Sequence, residues 1–107
     1  MSTNVQITSD ASFDQDIMSG ITLVDFWAEW CGPCQVMIPR LEELATRVGS
    51  KAKIMKMNVD EHPQTPQKFR IMSIPTLILF KDGKAVEQAV GTKSVDELTT
   101  MIEKYAQ

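Results

Sequence analysis

The sequence predicts an α/β fold, a mainly parallel central sheet with helices on both faces and antiparallel strands at one side. Three observations carry this. Two runs, Ile21–Trp27 and residues 76–80, are apolar almost throughout, as in strands buried on both faces. Stretches with helical spacing separate the strand-like runs, so the order reads β-α-β-α-β-α-β-β-α, and β-α repeats favour parallel pairing. Asp82-Gly83 lies between two strand-like runs and signals a hairpin, which adds antiparallel strands at one side. The 107 residues fit one domain, 1–107.

Val5-Gln6-Ile7 reads as a short first strand. Thr8-Ser9-Asp10 offers helix caps, Phe13 and Ile17 fall on one face, and Gly20 ends the first helix. Ile21–Trp27 is the central strand, with Asp25 its one carboxylate. A second helix carries Met37, Leu41, Leu44, Ala45 and Val48 at helical spacing, and Gly49 marks its end. Pro39 lies inside it, removing a backbone hydrogen bond and crowding the carbonyl of Gln35. Because the periodicity runs on to Val48, a kink is expected there rather than a stop.

Residues 53–59 read as the third strand, and Asp60-Glu61-His62-Pro63 as a turn into a short helix over 63–69 that Pro66 interrupts. Residues 76–80 form the fourth strand. Residues 85–90 are more polar, as suits an edge strand, and Gly91 breaks them. Ser94-Val95-Asp96-Glu97 matches a capping box, with Val95, Leu98, Ile102 and Tyr105 along one face of the last helix.

Composition excludes several functions. Net charge is −3 with no basic cluster, which disfavours nucleic-acid binding. No apolar run approaches membrane-spanning length. The first residues lack a basic segment and a long apolar segment, so no secretory signal is expected. Structural zinc needs four ligands, and the single histidine, His62, is not spaced for it, so no metal is expected.

Both cysteines, Cys31 and Cys34, sit where the central strand hands over to a helix. As a staple the pair makes little sense, since closing so short a loop gives only about 2 kcal/mol. As chemistry it makes more. Free N–H groups and the helix dipole stabilise negative charge at a helix N-terminus, and the thiolate is the nucleophile of disulfide exchange. Cys31 is expected to be the exposed attacking thiol and Cys34 the resolving one. Gly32 allows a tight turn with nothing blocking approach, and Pro33 suits the first helical turn. Asp25 is unusual in a buried strand. Burial would raise its pKa and let it exchange a proton with Cys34, or it is a structural carboxylate paired with Lys56. Trp27 reads as packing beneath the cysteines and Trp30 as exposed on a contact surface. Of the seven methionines, Met1 reads as the initiator and the others as core filler.

Trp27-Ala28-Glu29-Trp30-Cys31-Gly32-Pro33-Cys34, with Asp25 before it and Ile74-Pro75-Thr76 downstream, resembles the bacterial thioredoxin family. The likeness extends through Val24-Asp25-Phe26, Pro39, Lys56, Lys81-Asp82-Gly83 and Val90-Gly91 and covers nearly the whole chain. It implies the thioredoxin fold, a five-stranded mixed central sheet flanked by four helices, with a cis Ile74-Pro75 bond facing the cysteines. It implies a client surface of Trp30, Gly32, Pro33, Ile74, Pro75 and Gly91, with the backbone at Ile74 pairing with the client chain. It further implies a cytoplasmic monomer that binds no cofactor and takes electrons from NADPH through a flavin-containing thioredoxin reductase. Clients would include ribonucleotide reductase, peroxiredoxins and methionine sulfoxide reductases. Gln35 departs from the lysine of many relatives, Ser73 from a frequent glycine, and Met72 from a position where a basic residue can occur. The segment ending at Gly20 is short. A disulfide oxidase or isomerase, and a binding module that does not use its thiols, are the competing functions. The Gly-Pro pair weighs against the first.

Overall fold

The computed structural model describes residues 4–106. Its strands are β1 Val5–Ile7, β2 Ile21–Trp27, β3 Lys53–Asn58, β4 Thr76–Lys81 and β5 Lys84–Val90, in the sheet order β1-β3-β2-β4-β5. Its α-helices are α1 Phe13–Asp16, α2 Gly32–Val48, α3 Gln64–Lys68 and α4 Val95–Tyr105. β2 is the centre. It pairs in parallel with β3, which pairs in parallel with β1, and antiparallel with β4, which pairs antiparallel with β5, so the sheet is mixed rather than mainly parallel: the chain enters β4 from the opposite end, and the antiparallel part reaches the central strand. The five strands and four helices are those of the thioredoxin fold.

Alternation along the strands splits the core into two layers. Leu23, Leu77 and Leu79 pack with Met37, Leu41 and Leu44 of α2 and with Leu98 and Ile102 of α4. Val24, Phe26, Ile78 and Phe80 face the other way and pack with Phe13 and Ile17. There the Phe13, Phe69 and Phe80 rings meet at centroid distances of 5.4–5.6 Å, tying α1 and the end of α3 to β4. Asp25 has the parity of Leu23 and so points into the α2 layer.

Local chemistry sets the ends of some elements. Asp82 and Gly83 have φ of 49° and 88°, the two left-handed residues that a tight hairpin requires, and Lys81 pairs with Lys84 across them. α2 runs from Gly32 to Val48 with Pro39 inside it, so Pro39 does not end the helix. The Asn58 side chain accepts the N–H groups of Asp60 and Glu61, which stops β3 one residue earlier than expected.

Two further expectations fail. Thr8-Ser9-Asp10 does not cap α1, which starts at Phe13 behind Ser12 and spans four residues. Thr8 and Ser12 instead donate to the Asp16 carboxylate, and Asp10 accepts the N–H groups of Gln64 and Thr65 and the Thr65 hydroxyl. These polar side chains found partners elsewhere that outcompeted a helical first turn. Nor are the methionines all core filler, for Met18 and Met72 are exposed.

The capping box forms as expected. Ser94 Oγ accepts the Glu97 N–H at 3.0 Å, and Glu97 Oε1 accepts the Ser94 N–H at 2.9 Å. Ser94→Ala should therefore cost about 1 kcal/mol and lower Tm by about 4 °C. An unchanged thermal melt would show that the cap contributes nothing.

Candidate active site

β2 ends at Trp27, whose carbonyl accepts the Val59 N–H at 2.9 Å. The chain then turns through buried Ala28, with the Cys31 N–H donating to the Ala28 carbonyl at 3.2 Å. Cys31 keeps extended backbone angles as the N-cap of α2, and Gly32 opens the helix. The usual capping oxygen is here a sulfur, for Cys31 Sγ accepts the Cys34 N–H at 3.2 Å. Pro33, in the first turn, has no N–H to leave unsatisfied. Gly32 does not have a left-handed backbone, so the tight turn is not its role. A Cβ there would meet nothing within 4 Å, and the ground beside the cysteines is open.

Cys31 and Cys34 form a disulfide with Cα atoms 5.3 Å apart. Cys31 was expected to be exposed, yet it is only 4% accessible. Trp27, Val59 and Ile74 pack against the cysteine pair, and the Ile74 carbonyl stands 3.7 Å from Cys31 Sγ. Gln35 turns away and donates to the Glu29 carbonyl.

The Ile74-Pro75 bond is cis. The Pro75 carbonyl accepts the Gly91 N–H at 2.8 Å, which joins the end of β5 to this loop. Trp30 is 71% exposed, and its indole N–H donates to the Asp60 carboxylate at 2.8 Å. In the sequence Asp60 reads only as a turn residue. Its partner lies 30 positions away, so no local pattern marks it. Trp30 and Ile74 share a groove of about 410 Å³ with Val59, Pro66, Ile71 and Met72.

Asp25 is buried beneath the disulfide at 2% exposure, and among the described residues nothing donates to its Oδ1. Burial pushes its pKa up to about 7, and the Lys56 charge opposes this more weakly. Lys56 is its register partner on β3, but no ion pair joins them; the ammonium sits 5.2 Å over the Trp27 ring. The structural pairing of Asp25 with Lys56 is thus not formed. Asp25, Cys34, Trp27, Lys56 and Glu42 all line one small cavity of about 10 Å³, roughly the space of one water. Among the described residues no cluster of His, Cys, Asp or Glu could hold a metal ion. The arrangement is suited to reversible two-electron exchange between a dithiol and a disulfide.

Comparison with known proteins agrees. A family model described as Thioredoxin matches residues 4–104. A thioredoxin of Staphylococcus saprophyticus is 54% identical over 101 residues, which cover 94% of this chain and 96% of that protein. Thioredoxins of Staphylococcus haemolyticus and Staphylococcus aureus are 52% and 50% identical over the same shares. The chain belongs to the thioredoxin family, and its Cys31–Cys34 pair makes it a protein disulfide oxidoreductase.

Proposed function

We propose that the chain is a reductant of protein disulfides, with Cys31 the nucleophile and Cys34 the resolving thiol. The observation that carries this is the Cys34 N–H donating to Cys31 Sγ at the N-terminus of a 17-residue helix. In the reduced form that donor and the helix dipole favour a thiolate on Cys31. The thiolate attacks a client disulfide, and one client sulfur leaves as a thiolate. Asp25 then takes the proton of Cys34. The Cys34 thiolate attacks Cys31 Sγ and expels the second client thiolate. The client gains two electrons, and this chain ends as the disulfide.

Each neighbour has a role in this scheme. Asp25, with its pKa near 7, can both accept and return a proton near neutral pH. Lys56 tunes it by drawing that pKa down. Trp27 packs under the pair, and Gly32 and Pro33 leave its approach open. The client chain lies across Trp30, Ile74, Pro75 and Gly91. Pro39 is structural, set between the cysteine-bearing turn and the packed body of α2. The disulfide is returned to the dithiol by thioredoxin reductase with electrons from NADPH, and the chain binds no cofactor of its own. Ribonucleotide reductase, peroxiredoxins and methionine sulfoxide reductases are the client classes. The chain acts as a cytoplasmic monomer. Family membership supports a reductase and protein disulfide clients in general.

Cys34→Ser should trap a mixed disulfide with a client such as insulin, released by a small dithiol. Turnover at the wild-type rate would contradict the assigned roles. Full retention of biological activity by the double Cys→Ser variant would favour a binding module instead.

Asp25→Asn tests the proton transfer. Disulfide exchange near neutral pH should slow at least about tenfold; unchanged rates across pH would remove the role. Stability gives a second readout. Below about pH 4 the carboxyl is protonated in both the folded and unfolded chain, and its ionisation costs nothing. As pH rises to about 7 only the unfolded chain loses the proton, so stability falls. Above that the cost is complete, of order 4 kcal/mol. Asp25→Asn should therefore gain stability relative to wild type as pH rises, by about 2–4 kcal/mol between pH 4 and pH 9. A difference that does not vary with pH would contradict the raised pKa.

A further inference from the structure

The chain has seven methionines, and the disulfide chemistry uses none of them. Met1 lies outside the described residues. Met37, Met55, Met57 and Met101 are buried, Met18 is 59% exposed, and Met72 is 94% exposed. Met72 precedes Ile74 by two residues, and the Ile74 carbonyl stands 3.7 Å from Cys31 Sγ. Met72 also lines the apolar groove beside Trp30. A large apolar side chain left in water gains nothing for the core, and beside an apolar groove it is suited to contact another chain. A thioether in water is also open to oxidation, while buried thioethers are shielded.

We propose that Met72 is an oxidation-sensitive contact on the rim of the client groove. A peroxide converts it to the sulfoxide, and the sulfoxide weakens engagement of protein clients without altering the disulfide chemistry. This rests on reading the groove as part of the client surface. The step balances with hydrogen peroxide. The Met72 sulfur gives up two electrons, the O–O bond breaks, one oxygen bonds to sulfur, and the other leaves as water with both hydrogens. In the disulfide form neither cysteine offers a thiol to compete for the peroxide. The product carries a strongly polar group that client docking must strip of water. Methionine sulfoxide is enzymatically reversible, so the modification is a switch.

The test treats the oxidised protein with dilute hydrogen peroxide, maps the modified methionines by peptide fragmentation, and then follows reduction of insulin and of a small aromatic disulfide. Met72 should gain oxygen before Met18 and well before the buried methionines. KM for insulin should then rise about three- to tenfold, while kcat and the rate with the small disulfide change less than about twofold. Met72→Leu, compared with its own untreated form, should show no rise, and Met18→Leu should show the same rise as wild type. Trp30→Ala separates this proposal from the reading beneath it. If Trp30→Ala raises KM for insulin but the Met72 sulfoxide does not, the groove stands and the role of Met72 falls. If neither raises it, both fall. Oxidation of Met72 no faster than Met18 would also overturn the proposal.

Discussion

The hydrogen bond from the Cys34 N–H to Cys31 Sγ is the contact on which the site depends. It exists only because a helix begins at that point. The helix begins there because β2 delivers the chain to the end of the sheet and α2 must fold back over one face. Met37, Leu41 and Leu44 hold α2 in that position, each almost wholly buried against Leu23, Leu77 and Leu79. Burial of each such side chain is worth about 1.5–3 kcal/mol, more than a single cap contributes. Packing therefore fixes the start of the helix, and the start of the helix fixes the sulfur.

The surroundings of the pair limit how far the site favours a thiolate. Among the described residues the side chain of Gln35 is turned to the Glu29 carbonyl, and Lys56 lies over Trp27. Among the described residues no cation is paired with the cysteines. A backbone N–H and a helix dipole are modest stabilisers, and a thiolate stabilised only modestly leaves the disulfide the preferred end state. That is what the proposed role as a reductant requires. Beneath the pair, Asp25 is a carboxyl whose burial opposes its charge. Such a group is costly to a fold above neutral pH, and it is the kind of local conflict expected where chemistry rather than stability has set the residue.

Much of the fold was legible in the sequence, because it is written in local rules. The run Ile21–Trp27, the Asp82-Gly83 turn and the Ser94-to-Glu97 box each depend on residues within a few positions of one another. The cysteine pair was legible for the same reason. What could not be read was set by partners far along the chain. Asp10 is drawn to α3, more than 50 residues away, and α1 shortens to four residues. Trp30 finds Asp60, and Cys31 is covered by Ile74. Met72 carries a core residue's chemistry but meets no core, because the segment before Ile74 runs along the surface. Composition and periodicity do not record such contacts. The cis Ile74-Pro75 bond came only from the family resemblance.

The most direct measurement is the reduction potential of the Cys31–Cys34 pair, obtained by equilibrating the protein against a dithiol/disulfide buffer. A potential well below the glutathione couple is expected, close to the value already known for thioredoxin, about −270 mV. A value at or above about −180 mV, where disulfide isomerases lie, would contradict the proposal that the chain is a reductant.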